Sequence, residues 1–119
     1  FKPDWTWIKN RDANDAHQLF DSSRGVTNVL PSNTTTAEDA NDDTLTAFIS
    51  TGFSLGDDVT VNTNNESYVA WNWKANGGTT TTNDASATSI GSQDSVYQAN
   101  TTAGFSILMI QTQPLLYFL

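Results

Sequence analysis

The sequence predicts an all-β domain of short antiparallel strands, arranged as a β-sandwich or jelly roll. Apolar and β-prone residues alternate with a period of two, and no apolar stripe of helical period runs longer than two turns. Asn, Asp and Gly punctuate the chain often enough to separate many short strands. Four Trp, six Phe and three Tyr lie mostly in those strands, so a chain with only 37% hydrophobic residues still has large rings from which to build a core. A length of 119 residues suits one core and not two, so a single domain, 1–119, is expected.

Trp5 to Lys9 opens the series, with Trp5 and Trp7 on one face and Thr6 and Ile8 on the other. Asn10 to His17 is polar and rich in Asp and Asn, which makes it a loop. Strands are expected at Gln18 to Asp21 and Val26 to Leu30, where apolar residues return between Ser, Arg and Gly. Thr34 to Asp43 is a second polar loop, in which Thr36 and Asp39 have the spacing of a capping box and could open one helical turn. Thr44 to Ile49, Phe53 to Leu55 and Val59 to Asn62 follow as strands, with Asp57-Asp58 as the turn before the last of them. Ser67 to Lys74 has Val69, Trp71 and Trp73 on one face and Tyr68, Ala70 and Asn72 on the other. Both faces are largely apolar, the pattern of a central strand covered on both sides, with one Trp as a sugar-stacking platform at a sheet face as the functional alternative. The segment 76–87 carries Gly77-Gly78 and four consecutive Thr, the composition of a flexible connection. Ser95 to Gln98 and Phe105 to Ile110 complete the strands. The apolar block 108–119 ends in Leu115, Leu116, Tyr117, Phe118 and Leu119, a run that is an aggregation hazard unless it is buried, covered by a partner or continued in a neighbouring copy.

Thirteen acidic against five basic residues give a net charge of −8. Such a surface repels phosphate backbones and anionic lipid, so neither nucleic acid nor an anionic membrane is an expected partner. No stretch is apolar for the roughly 18 residues that cross a bilayer, and membrane insertion is not expected. Cysteine is absent, which removes disulfides, thiolate metal sites and thiol nucleophiles.

The residues that could carry chemistry each have a plainer reading beside the functional one. If Thr6 and Ile8 face inward, Trp5 and Trp7 form an exposed aromatic pair next to Asn10, Arg11 and Asp12. That pair suits glycan stacking, subunit packing or, with the faces reversed, an ordinary core. Asn10, Asp12 and Asn14, and again Asp39, Asn41 and Asp43, have the first spacings of a calcium loop. Neither run supplies the Gly at the sixth position or the Glu at the twelfth, so both read as solvated loops and no metal or cofactor is expected. His17 is the only histidine, and no G-x-S-x-G phrase accompanies it. Enzymatic activity is not expected. Asn33, Asn65 and Asn100 fit the N-glycosylation pattern, a chance frequency in a chain this rich in Asn and Thr.

Several phrases, taken in order, carry a resemblance. They are Phe1-Lys2-Pro3-Asp4-Trp5-Thr6-Trp7-Ile8-Lys9-Asn10-Arg11, Leu19-Phe20-Asp21-Ser22-Ser23-Arg24-Gly25, Gly52-Phe53-Ser54-Leu55-Gly56, Ser67-Tyr68-Val69-Ala70-Trp71-Asn72-Trp73-Lys74-Ala75 and Ala99-Asn100-Thr101-Thr102-Ala103-Gly104-Phe105-Ser106-Ile107. Together they resemble a repeated β-rich module of phage tail fibres and other virion appendages, especially of aquatic phages. The resemblance implies a β-sandwich-like structural module on a virion surface with no catalytic residues. Its partners would be other copies, other virion proteins and host surface glycans, with Trp5, Trp7 and Asn10 as the first candidates for glycan contact. In that family a strand precedes the Pro-Asp phrase, and a polar strand follows Gly-Phe-Ser-Ile. This chain starts at Phe1 and runs into an apolar block, so the unit is expected to be trimmed, rearranged or completed by another chain. A second expectation, from a different class, is a self-assembling shell or filament subunit docking through Leu115 to Leu119.

Overall fold

The computed structural model describes residues 1–110. These are 45% strand and 7% helix in three antiparallel sheets, an all-β fold as expected. The expected interface residues Leu115, Leu116, Tyr117, Phe118 and Leu119 lie outside the described residues.

The first sheet has five strands: β1 (Trp5–Asn10), β2 (Gln18–Asp21), β3 (Gly25–Pro31), the two-residue β4 (Asp39–Ala40) and β7 (Tyr68–Trp73), in the order β4-β3-β2-β1-β7. A hairpin of β5 (Leu45–Ile49) and β6 (Gly52–Leu55), followed by the one-turn helix α1 (Val59–Asn62), covers one face of it. The core lies between these layers. Ile8, Phe20 and Val29 come from the sheet, Leu45 and Phe48 from the hairpin and Val61 from α1, with Val26, Phe53, Leu55 and Tyr68 packed against them. The period-two pattern of β1 thus resolves with Thr6 and Ile8 inward, and both are buried.

The last sheet has three strands, β10 (Phe105–Ile110), β9 (Ser95–Asn100) and β8 (Thr81–Asn83), in the order β10-β9-β8. A second one-turn helix, α2 (Ala85–Thr88), lies between β8 and β9. Phe105 to Ile110 forms the strand expected of it, so Leu108, Met109 and Ile110 of the apolar block belong to β10.

Four expectations are corrected. Val59 to Asn62 is helical because Asp58 caps it: the carboxylate accepts the Thr60 N–H at 2.8 Å and the Thr60 hydroxyl at 2.6 Å, and the turn drops Val61 into the core. Thr36 and Asp39 open no helical turn, since Asp39 and Ala40 instead pair with Val29 and Asn28 on the open edge of β3. The strand at Tyr68 to Trp73 is not central but the edge of its sheet, with Trp71 and Trp73 exposed.

The fourth correction is the segment 76–87, which is built structure. Gly77 and Gly78 adopt left-handed φ of 68° and 87°. That conformation lets four backbone N–H groups reach two buried side chains. Asp4 Oδ2 accepts from Ala75 at 2.8 Å and Gly77 at 2.9 Å, and Gln98 Oε1 accepts from Gly78 at 3.2 Å and from Asn76 at 3.1 Å. Ser22 Oγ donates to Asp4 Oδ1 at 2.8 Å and accepts from Gln98 Nε2 at 2.8 Å. Asp4, Ser22 and Gln98 therefore tie the three-stranded sheet to the five-stranded one through polar contacts, and β8 and α2 follow from that anchor.

Gly56 is fixed by a close approach. A Cβ there would sit 2.3 Å from the Asp43 carbonyl oxygen, where the chain bonds to the segment before β5 through Gly56 N–H to Thr44 O at 2.8 Å.

Candidate functional site

The face of the five-stranded sheet away from the core carries the tryptophans. Antiparallel pairing of β1 with β7 sets Trp5 opposite Trp73 and Trp7 opposite Trp71, so the W-T-W and W-N-W spacings bring all four indoles together. Ring centroids are 4.8 Å apart for Trp5 and Trp73, 5.0 Å for Trp7 and Trp71, and 6.2 Å for Trp5 and Trp7. The strip continues onto the other sheet, where Phe105 stacks on Trp73 at 6.1 Å. It also crosses its own sheet, because Trp7 pairs with Leu19 and Leu19 with the exposed Leu30.

Exposure is unequal along the strip. Trp71 is 41% and Trp73 39% exposed, while Trp5 and Trp7, flanked on both sides by strands, are half-buried. His17, from the loop before β2, closes one end. Trp7 Nε1–H donates to His17 Nδ1 at 2.8 Å, which leaves the neutral imidazole proton on Nε2. Lys9 follows Trp7 on the same face of β1, and its ammonium is held against the carbonyls of Asn10 and Ala13.

Trp5 and Trp7 are brought together as the sequence suggests, but Asn10 is not beside them. It lies on the opposite, inner face of β1 and is buried. Its Nδ2 donates to Asp15 Oδ2 at 2.7 Å and Glu66 Oε2 at 2.6 Å, and its Oδ1 accepts the N–H groups of Asp12 and Ala13. Asn10 organises the 11–16 loop and is out of reach of a ligand on the tryptophan face. Sequence reading allowed one Trp of this strand as a stacking platform, but missed that Trp71 and Trp73 together are the better exposed pair. The signal was present in the equal spacing of the two Trp-x-Trp phrases, which an antiparallel neighbour relation would align.

The acidic loops serve the backbone. Asp12 Oδ2 accepts the Ser67 N–H at 2.6 Å, and hydrogen bonding from Ser67 holds this carboxyl below the usual aspartate range. Asn41, from the other calcium-like run, donates to Asp58 at 2.8 Å and accepts the Asp43 N–H at 3.0 Å. Among the described residues, no group of three or more His, Asp or Glu side chains is placed to hold a metal ion. No helix among them is long and apolar enough to cross a membrane.

Fold and strip together define an antiparallel all-β domain with one sheet face closed by a hairpin and the other lined with tryptophan. The chain belongs to the family described as Domain of unknown function (DUF7483), whose model matches residues 1–113. No curated protein and no solved structure matches it.

Proposed function

We propose that this domain is a non-enzymatic contact module of a phage tail fibre or similar virion appendage, and that the tryptophan strip is the surface it offers to host glycans. The observation that carries the reading is the exposure of Trp71 and Trp73 on the side of the sheet opposite the core. Large rings normally contribute their burial to folding, and here a chain with few apolar residues leaves two indoles partly in water. Sugar rings present apolar C–H faces that pack on indoles, and the His17 Nε2–H beside Trp7 is a hydrogen-bond donor of the kind that fixes a sugar's orientation. The resemblance to appendage modules supports the virion surface as the location. Repetition along an oligomeric fibre would let weak single contacts act together.

The test is binding of a multimerised full chain to an array of bacterial surface polysaccharides, with Trp71→Ala and Trp73→Ala as probes. Binding is expected on at least one polysaccharide, and each substitution is expected to weaken it about tenfold, in line with the loss of one stacking contact of about 1.4 kcal/mol. Because both side chains are substantially exposed, both variants should keep the wild-type thermal midpoint to within a few degrees. Absence of binding across the array, or binding indifferent to both substitutions, would overturn the proposal.

A further inference from the structure

From Ser95 to Leu119 the sequence contains no Asp, Glu, Lys, Arg or His, although the whole chain carries a net charge of −8. Both β9 and β10 fall within this uncharged stretch. β10 is the edge of its sheet: it pairs with β9 along its whole length without a register shift, and no strand among the described residues pairs with its other side. Ser106, Leu108 and Ile110 point to the open face, with Leu108 55% and Ile110 62% exposed. The usual protections of an edge are a charge, a proline, a bulge or brevity. β4 is short and carries Asp39, and β8 has three residues, whereas β10, like the β7 edge, has six residues and none of these devices, and of the two only β10 lies in the uncharged stretch 95–119. The three-stranded sheet also contributes no residue to the apolar core, and among the described residues Leu108 and Ile110 on its open face stay mostly exposed.

We propose that β10 pairs antiparallel with β10 of a second copy about a two-fold axis normal to the sheet, joining the three-stranded sheets of the two copies into one. The charge distribution selects a second copy as the occupant. Two chains of charge −8 repel one another over most of their surfaces, and the uncharged stretch from Ser95 onward lets this edge approach its copy with no like-charged side chains from either strand in contact. An antiparallel edge is self-complementary under a two-fold, and one strand supplies both halves of the interface. An axis of this kind keeps each side chain on its own face, so partners lie an even number of residues apart. Centring the axis on Leu108 uses the strand most fully: Leu108 meets its mate and Ser106 meets Ile110 on the open face, while Ile107 meets Met109 on the other. Six residues of edge pairing form a small interface, so the dimer is expected to be weak and concentration-dependent.

Sedimentation equilibrium of the full chain from about 1 µM to about 1 mM is expected to show the mass rising from one copy towards two. Leu108→Lys sets two ammonium groups against each other at the axis and should keep the chain monomeric throughout, with unchanged circular dichroism. The chain has no cysteine, so Leu108→Cys introduces a single thiol that the two-fold places within disulfide reach of its mate. Under mild oxidation it should cross-link at least tenfold faster than Thr101→Cys in the exposed β9–β10 turn. A mass of one copy at every concentration overturns the proposal. So do equal cross-linking rates, or an association that survives Leu108→Lys and disappears only when 111–119 is deleted.

Discussion

The two large sheets are built from similar strands and held in different ways. In the five-stranded sheet, β1, β2 and β3 each place an apolar side chain into a core closed by the β5–β6 hairpin and α1. In the three-stranded sheet, Val96, Tyr97, Phe105, Ile107 and Met109 are only half-buried, and the one buried side chain is the polar Gln98. The first region is stabilised by removing apolar surface from water, a term that is large and non-directional. The second is positioned by hydrogen bonds that are directional and worth little each in net stability. A sheet anchored this way is placed accurately but adds little to the stability of the whole, and it keeps an apolar edge free for contact.

The largest expected effect tests that contrast directly. Phe20→Ala removes a fully buried ring from the centre of the core and should cost about 4 kcal/mol. Ile110→Ala removes a side chain that is mostly in water and should change stability by about 0.5 kcal/mol or less. Urea titration at low micromolar concentration, followed by tryptophan fluorescence, measures both. Comparable losses would mean that the three-stranded sheet carries a core of its own.

How much of this was legible in the sequence divides along the same line. Strand positions in the packed region follow from alternation, which groups Thr6 with Ile8 and Trp5 with Trp7 but leaves open which of the two faces of β1 is the buried one. Val59 to Asn62 has the same alternation yet is a helix. A single aspartate cap and one buried valine outweighed β propensity over four residues, a local contest that pattern alone does not resolve. The segment 76–87 was illegible for a different reason. Its order comes from Asp4 and Gln98, at separations of 73 and 20 residues from the glycines they hold, and composition contains no trace of such a contact. For the candidate site, Trp5 and Trp7 were legible as a pair. The placement of Asn10 on the other face follows from strict alternation along β1, and the error was to take nearness in sequence for a shared surface.

An intermediate effect is expected where the two regions meet. Gln98→Ala removes an acceptor for the Asn76 and Gly78 N–H groups and a donor to the hydroxyls of Ser22, at 2.8 Å, and Ser23, at 2.6 Å. A cost of about 2 kcal/mol is expected from the unpaired groups left behind. The loss should be local. Hydrogen exchange should accelerate in β9 and β10 at least tenfold while β1 and β2 keep their protection. If all four strands accelerate together, the polar anchor supports the whole domain and the contrast between the regions fails.

The smallest effect compares one device used in both regions. Asp58 caps α1 and Asp84 caps α2 in the same way, each carboxylate accepting a backbone N–H and a hydroxyl two residues on, from Thr60 and from Ser86. Burial pushes the Asp58 carboxyl up, but the Thr60 hydroxyl and N–H and the Asn41 amide outweigh it and hold the group below the ordinary aspartate range. Hydrogen bonding from Ser86 and Ala87 lowers Asp84 likewise. A carboxyl depressed by folding stabilises the fold at pH values above its unfolded pKa, and that contribution is lost as pH falls through the lower folded value. Both caps should contribute fully and without change between pH 7 and pH 5, and both should weaken in acid below the ordinary aspartate range. α1 carries Val61 into the core and α2 buries nothing, so the same chemistry should read out differently. Asp58→Ala should lower global stability by about 1 kcal/mol at neutral pH and flatten part of its acid slope. Asp84→Ala should leave the unfolding midpoint in place and only speed exchange of the α2 amides. Equal shifts from the two variants would show that α2 is coupled to the core through the three-stranded sheet more tightly than its open packing implies.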